Sequence, residues 1–209
     1  MSPRTTVVLA TTNRGKLSEL RALLSDLPIQ LVAVSDVTPH PVEVVEDGAT
    51  FEENARKKAR AVARALALPA LADDSGLEVD LLDGRPGVRS ARFAGEQTSD
   101  SANNQLLLSQ LSSMDAPDHS RTARFRCVLC LVDPIHPDEE LEATGACEGL
   151  IAHSPRGTGG FGYDPIFVVR EIAGNRTMAE LSDVEKNALS HRSRAVAALR
   201  EQLVLWLSR

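Results

Sequence analysis

The adjacent carboxylates Asp73 and Asp74 follow the apolar run Ala70–Ala72 directly and precede Ser75 and Gly76. Carboxylates at the carboxyl end of a strand in an α/β sheet lie where ligands gather, and one or two of them suit Mg²⁺ shared with phosphate oxygens. Neighbouring residues on a strand point in different directions. One of the pair is therefore expected to reach a metal, while the other caps the following turn. A structural use of both acids in that turn stays open. Glu46, in an acidic stretch with Glu43 and Asp47, is the available second carboxylate.

Groups that could hold an anion stand elsewhere in the chain. Thr11-Thr12-Asn13-Arg14-Gly15-Lys16 is a small polar turn after an apolar run, and a helix beginning there would aim its N–H groups at an anion. Lys16 adds a full charge, although the same residues would serve as an ordinary strand–helix turn, and the Walker A pattern is absent. Lys58 falls at the edge of an apolar helical stripe, one turn after Asn54, so both could face one pocket. A stem snorkelling along the core boundary would look the same. Gly157-Thr158-Gly159-Gly160-Phe161-Gly162-Tyr163-Asp164 lets backbone approach a flat ligand, with Phe161 as a stacking face; a glycine-rich turn is the plainer reading. Lys186, His191 and Arg192 offer donors to a phosphate or a purine O6, or are surface charges of an amphipathic helix.

The elements that must position these groups read as alternating strands and helices. Val7–Ala10 is a strand, Leu17, Leu20, Leu24 and Leu27 repeat at helical spacing, and Leu31–Val34 is the next strand: an α/β beginning. Residues 40–48 are a loop. Thr50 and Glu53 form a capping box ahead of the stripe Phe51, Ala55, Ala59, Val62 and Leu66. Ala70–Ala72 is a short strand, residues 83–95 are irregular, Asp100–Leu111 is a helix and residues 112–120 a polar loop. Arg124–Val132 and Leu141–Ile151 are strands of a hairpin, and Ile166–Val169 is a further strand. Ser182 with Glu185 caps a C-terminal helix pair whose last member buries Val196, Leu199, Leu203 and Trp206. Cys127 and Cys130 form C-x-x-C inside a strand, facing opposite sides, which suits buried structural thiols better than a redox or zinc site.

The 209 residues fit one domain, or one domain with two lobes, and aromatics are only 3%, so the core must be built mainly from Ala, Val and Leu. A net charge of −6 disfavours a nucleic-acid surface but allows a local anion pocket. No apolar run is long enough to span a bilayer, the first residues are too polar for a signal peptide, and three cysteines give no disulfide framework. The chain is expected to be cytoplasmic.

Together and in this order the segments resemble the inosine/xanthosine triphosphate pyrophosphatases, the non-canonical purine NTP pyrophosphatases. The matching stretches are VVLATTNRGK from Val7, TFEENARKKA from Thr50, LADDSGL from Leu71, PGVRSARFAG from Pro86, GTGGFGYDPIF from Gly157 and MAELSDVEKNALSHR from Met178. They cover essentially the whole chain. The resemblance implies an α/β fold with a long mixed sheet, flanking helices and two lobes around a nucleotide cleft, within one domain of residues 1–209, and a homodimer.

Function is implied residue by residue. Thr11, Thr12, Asn13, Arg14, Gly15 and Lys16 would bind the nucleotide, with Lys16 on the phosphates and Lys58 as a further cation. Asp74 would activate water and help hold Mg²⁺, Glu46 would share the metal, and Ser75 would touch substrate. Phe161, Gly162, Tyr163 and Asp164 would enclose the base, completed by Lys186, His191 and Arg192. Water would attack the α-phosphorus of ITP, dITP or XTP, releasing pyrophosphate and a monophosphate. Donors facing the 6-oxo group would reject adenine, which presents an amino group there. Competing readings are a pyrophosphatase for pyrimidine or modified nucleotides, a nucleotide sensor and, against the charge balance, a nucleic-acid module.

Overall fold

The computed structural model describes residues 4–114 and 117–209. Of the polar loop expected over 112–120, residues 115 and 116 lie outside the described residues, as do the first three residues of the N-terminus. The chain is an α/β fold built on a six-stranded mixed sheet of order β2-β1-β3-β4-β5-β6. Strand β1 (Thr5–Leu9) pairs in parallel with β2 (Ile29–Ala33) and with β3 (Ala70–Val79), while β5 (His136–Ile151) pairs antiparallel with β6 (Phe167–Val169). Strand β4 (Thr122–Asp133) lies between β3 and β5.

Two compact units divide the chain, the first comprising Met1–Asp74, Cys127–Gly145 and Arg192–Arg209, the second Ser75–Arg126 and Ala146–His191. The divisions fall inside β3, β4 and β5 and at the start of α6 (His191–Leu207). The first unit has its own core, in which Val7, Leu9 and Leu31 of the strands meet Leu20, Leu199 and Leu203 of the helices. The expected C-terminal stripe is buried, and Trp206 also donates its indole N–H to Asp133 at 3.0 Å. In the second unit Leu77, Val79, Leu107, Phe125, Ile166 and Phe167 form a separate cluster. Aromatic rings are confined to a few positions in both, as the composition required.

Several boundaries differ from expectation for physical reasons. Helix α1 (Arg14–Leu23) starts inside the polar turn, because Asn13 is its N-cap and accepts the Lys16 N–H at 3.1 Å. Arg14, Gly15 and Lys16 are therefore its first turn. Val34 leaves the strand and opens a single helical turn, α2 (Val34–Val37). Helix α3 (Phe51–Leu66) is capped by Thr50, but the Glu53 carboxylate reaches back to the Ala49 N–H at 2.7 Å instead of closing a reciprocal box with Thr50. Strand β3 does not stop at Ala72: it runs ten residues to Val79, through Asp73-Asp74-Ser75-Gly76. Its parallel partner ends first, with Leu9 opposite Leu71, so the two acids lie just past the carboxyl end of the parallel pair while β3 continues beside β4. Helices α4 (Asp100–Ser112) and α5 (Asp183–Leu189) are close to expectation, the latter with the full Ser182–Glu185 capping box.

Candidate active site

The strand pleat separates the two acids. Asp73 is fully buried and accepts from Lys16 Nζ at 2.6 Å, from Arg192 Nε at 2.7 Å and from the Cys127 thiol at 3.4 Å. Burial alone would push its carboxyl up, but the Arg192 and Lys16 cations more than reverse that and hold it well below the usual carboxylate range. Asp73 thus ties α1, α6 and β4 to β3. Arg192, also fully buried, gives its Nη1 to Glu19 of α1 and stays protonated between the two acids.

Asp74 takes the other direction. Its Oδ1 accepts from Lys58 Nζ at 2.6 Å, and the same ammonium reaches Glu46 at 3.2 Å and the Asp73 carbonyl at 3.0 Å. Helical spacing puts Lys58 at the stripe edge, and in α3 it is buried, with the stem among the apolar residues and the charge delivered to acids. Burial opposes its charge, yet Asp74 and Glu46 together raise it above the ordinary lysine value. At Asp74 burial prevails over the pull of Lys58 and Lys16, and its carboxyl is raised. Its Oδ2 is buried and has no hydrogen-bond partner among the described residues. Such an oxygen costs about 1–3 kcal/mol unless a ligand, a proton or water meets it.

Asn54 does not join Lys58 at the acids; its Oδ1 accepts the Gly48 N–H at 2.8 Å and so fastens the acidic loop to α3. Lys57 pairs with Asp47 at 2.5 Å on the exposed face, which removes one competitor for the role of Glu46. A cavity of about 950 Å³ in this unit is lined by Thr11, Thr12, Asn13 and Arg14 together with Glu46 and Lys58. The polar turn, the acidic loop and the α3 lysine are therefore brought to one place. With Asn13 serving Lys16, the N–H groups of Arg14 and Gly15 are left without intrahelical partners, as anion binding needs.

The expected divalent cation finds suitable donors here. No group of three or more His, Cys, Asp or Glu side chains forms a closed cage among the described residues. Mg²⁺ does not need one, because it is usually held by one or two carboxylates plus phosphates and water. Asp74 Oδ2 and the half-exposed Glu46 carboxylate meet that description.

In the second unit Ser75 follows Asp74 in β3, and a glycine-rich loop carries the remaining candidates. Asp164 is buried and accepts from Lys186 Nζ at 2.6 Å and from the Phe161 N–H at 3.0 Å. Lys186 Nζ also lies 4.8 Å from the centre of the Phe161 ring. A β-carbon on Gly160 would overlap the Asp164 carboxylate, so glycine there is a requirement of close approach. Tyr163 is buried with its hydroxyl donating to the Ser90 carbonyl at 2.8 Å, pointing into structure. His191 is buried and stacks on Phe125 at 4.8 Å and 19°.

Sequence reasoning had no signal for Glu19 or Cys127 as partners in the Asp73 cluster, nor for Phe125 beneath His191. The cysteines are free and buried, and burial with the Glu140 and Glu142 charges pushes Cys130 up to about 12, so C-x-x-C here is inert.

Fold and site define an α/β protein with an acid–base cluster past the end of a parallel strand pair, beside a helix N-terminus open to an anion. The chain belongs to the Ham1 family, whose model matches residues 7–202. A dITP/XTP pyrophosphatase of Geobacter sulfurreducens is 54% identical over 199 residues, covering 95% of this chain and 96% of that protein. The dITP/XTP pyrophosphatase of Escherichia coli K12 is 48% identical over 197 residues, covering 94% and 97%. The solved structure of a HAM1 protein from Coxiella burnetii matches with a TM-score of 0.82 at 44% identity, over 98% of each chain.

Proposed function

We propose that this chain hydrolyses ITP, dITP and XTP to the nucleoside monophosphate and pyrophosphate, with Mg²⁺. Relatives that match along nearly their whole length are named dITP/XTP pyrophosphatases. The observation that carries the chemistry is Asp74: one oxygen held by Lys58, the other buried and unclaimed.

In the reaction a water oxygen bonds to the α-phosphorus, and the bond from that phosphorus to the oxygen bridging the β-phosphate breaks. Pyrophosphate leaves with that oxygen. Asp74 takes the water's proton, its carboxylate being oriented by the Lys58 ammonium at 2.6 Å. Lys58, charged and anchored by Asp74 and Glu46, steadies the ionised base. The Arg14 and Gly15 N–H groups and Lys16 receive phosphate oxygens; Lys16 uses one of three donors on Asp73 and keeps the others. Asp74 and Glu46 would hold Mg²⁺, which when bound neutralises charge on the phosphate oxygens. Lys186, with Phe161 and Asp164, supplies a donor and a ring face to a 6-oxo purine, and Ser75 and His191 add contacts; Arg192 acts through Asp73 and Glu19.

The test is a panel of ITP, XTP, dITP, GTP, ATP and pyrimidine triphosphates with Mg²⁺, reading pyrophosphate and orthophosphate separately. Pyrophosphate from ITP, dITP and XTP, with little from ATP and GTP, is the expected result. Orthophosphate as the direct product would overturn attack at the α-phosphorus. We also propose a cytoplasmic homodimer. No helix among the described residues is long and apolar enough to cross a membrane. Light scattering of the purified chain should give twice the chain mass; a monomer would remove the dimer, and fractionation into a membrane or exported pool would remove the compartment.

A further inference from the structure

We infer that Asp100 and Asn104 of α4 are positioning residues that set base selectivity by clamping the peptide groups of Gly162. This rests on the purine pyrophosphatase reading and extends it to residues that touch no reacting atom. Asp100 opens α4 behind its N-cap Ser99, and Asn104 follows one turn later, so both project from one helix face. The Asp100 Oδ2 accepts the Gly162 N–H at 2.7 Å, and the Asn104 Nδ2 donates to the Gly162 carbonyl at 3.1 Å. Both backbone polar groups of a single residue are thereby held by one helix.

That residue is the pivot of the recognition loop. Gly162 has φ +63°, Tyr163 follows at φ −91° and ψ 5°, and the Asp164 N–H donates to the Phe161 carbonyl at 3.2 Å. These are the features of a type II′ turn over 161–164, with glycine where positive φ is demanded. A β-carbon on Gly162 would meet nothing within 4 Å, so the requirement there is conformational. The turn carries Phe161 at one end and Asp164 at the other, and Lys186 is registered against both.

Rotation of the Gly162 peptides would move ring, carboxylate and ammonium together. Recognition of a base needs such groups placed to within about 0.5 Å. The neighbouring Asn103 is engaged elsewhere, accepting from the Ala94 N–H and donating to the Ala91 carbonyl, and so braces residues 91–94. Adjacent asparagines of one helix thus serve separate segments. Asn104 is 5% exposed and its Oδ1 has no hydrogen-bond partner among the described residues, so its placement is not explained by solvation or by another anchor.

The experiment compares the parent with Asp100→Ala, Asn104→Ala and Asp100→Asn. Four quantities are read: kcat/KM for ITP and for GTP, the Ki of inorganic tripolyphosphate, and amide hydrogen exchange over residues 157–164. Both alanine variants should raise KM for ITP and narrow the ITP-to-GTP ratio, each by about tenfold, the scale of a lost hydrogen bond to a buried partner. The tripolyphosphate Ki should stay at the parental value, because that ligand lacks a base, and exchange should accelerate. Asp100→Asn keeps an acceptor and should recover most of the selectivity.

An unchanged ITP-to-GTP ratio beside faster exchange would make the clamp structural only and overturn the inference. So would a tripolyphosphate Ki that rises in step with KM, which signals general damage. A parent with no turnover of any nucleotide would instead defeat the functional reading, and this inference with it.

Discussion

Asp74→Asn lowers the turnover of ITP by about 10²–10⁴-fold, the contribution expected of a positioned general base, and leaves the fold intact. The amide has nearly the same shape and still accepts from Lys58 through its oxygen. Lys58 keeps Glu46 and the Asp73 carbonyl in any case. Burial raises the Asp74 carboxyl, so the ionised side chain is a cost to the folded state, and a neutral isostere removes that cost. Lys58 loses its nearest charge in exchange, so stability should change little while activity collapses. Steady-state hydrolysis of ITP alongside a denaturant titration separates the two effects. Turnover retained within an order of magnitude would show that Asp74 is not the base.

Asp73→Asn has the opposite signature: the largest loss is in stability. The carboxylate neutralises Lys16 and Arg192 together, and Arg192 is 1% exposed, so it cannot turn to solvent when its partner goes. Breaking a buried ion pair by removing one member costs about 3–5 kcal/mol. The lower end applies, because Glu19 still holds Arg192 and Lys16 lies near the surface. Denaturant unfolding of the metal-free protein should thus show a loss of about 3 kcal/mol; a loss below about 1 kcal/mol, the level of an exposed pair, would refute the anchoring role.

The pH dependence has a definite sign. The folded Asp73 carboxyl titrates below its unfolded value, so its stabilisation is complete above about pH 4 and is withdrawn as pH falls toward the lower folded value. The variant lacks this contribution. The stability gap between parent and variant should narrow in acid and be widest near neutrality.

Much of the molecule is legible in the amino-acid sequence by itself. The stripe Phe51, Ala55, Ala59 and Val62 places α3 and sets Lys58 at its edge, since helical periodicity is a local property. Ser182 and Glu185 mark the start of α5 because capping needs only residues three apart. The motifs single out the carboxylates, the polar turn at 11–16 and the glycine-rich loop at 157–164, and the order of those motifs points to the family. Composition predicts cores built mainly from aliphatic side chains, and both clusters are.

The division of labour within the acid pair is not legible there. Asp73 and Asp74 are the same residue type one position apart, and only the pleat of β3 sends one to Arg192 and the other to Lys58. Nor could local pattern join Arg192 to Glu19 or Asp100 to Gly162, pairs separated by 173 and 62 positions. Glutamate, aspartate and asparagine on a helix face read as solvated residues until the packing of distant elements removes water and gives each a single partner. Element type follows from propensity and periodicity along the chain. Partner choice follows from burial, which only the assembled tertiary structure decides.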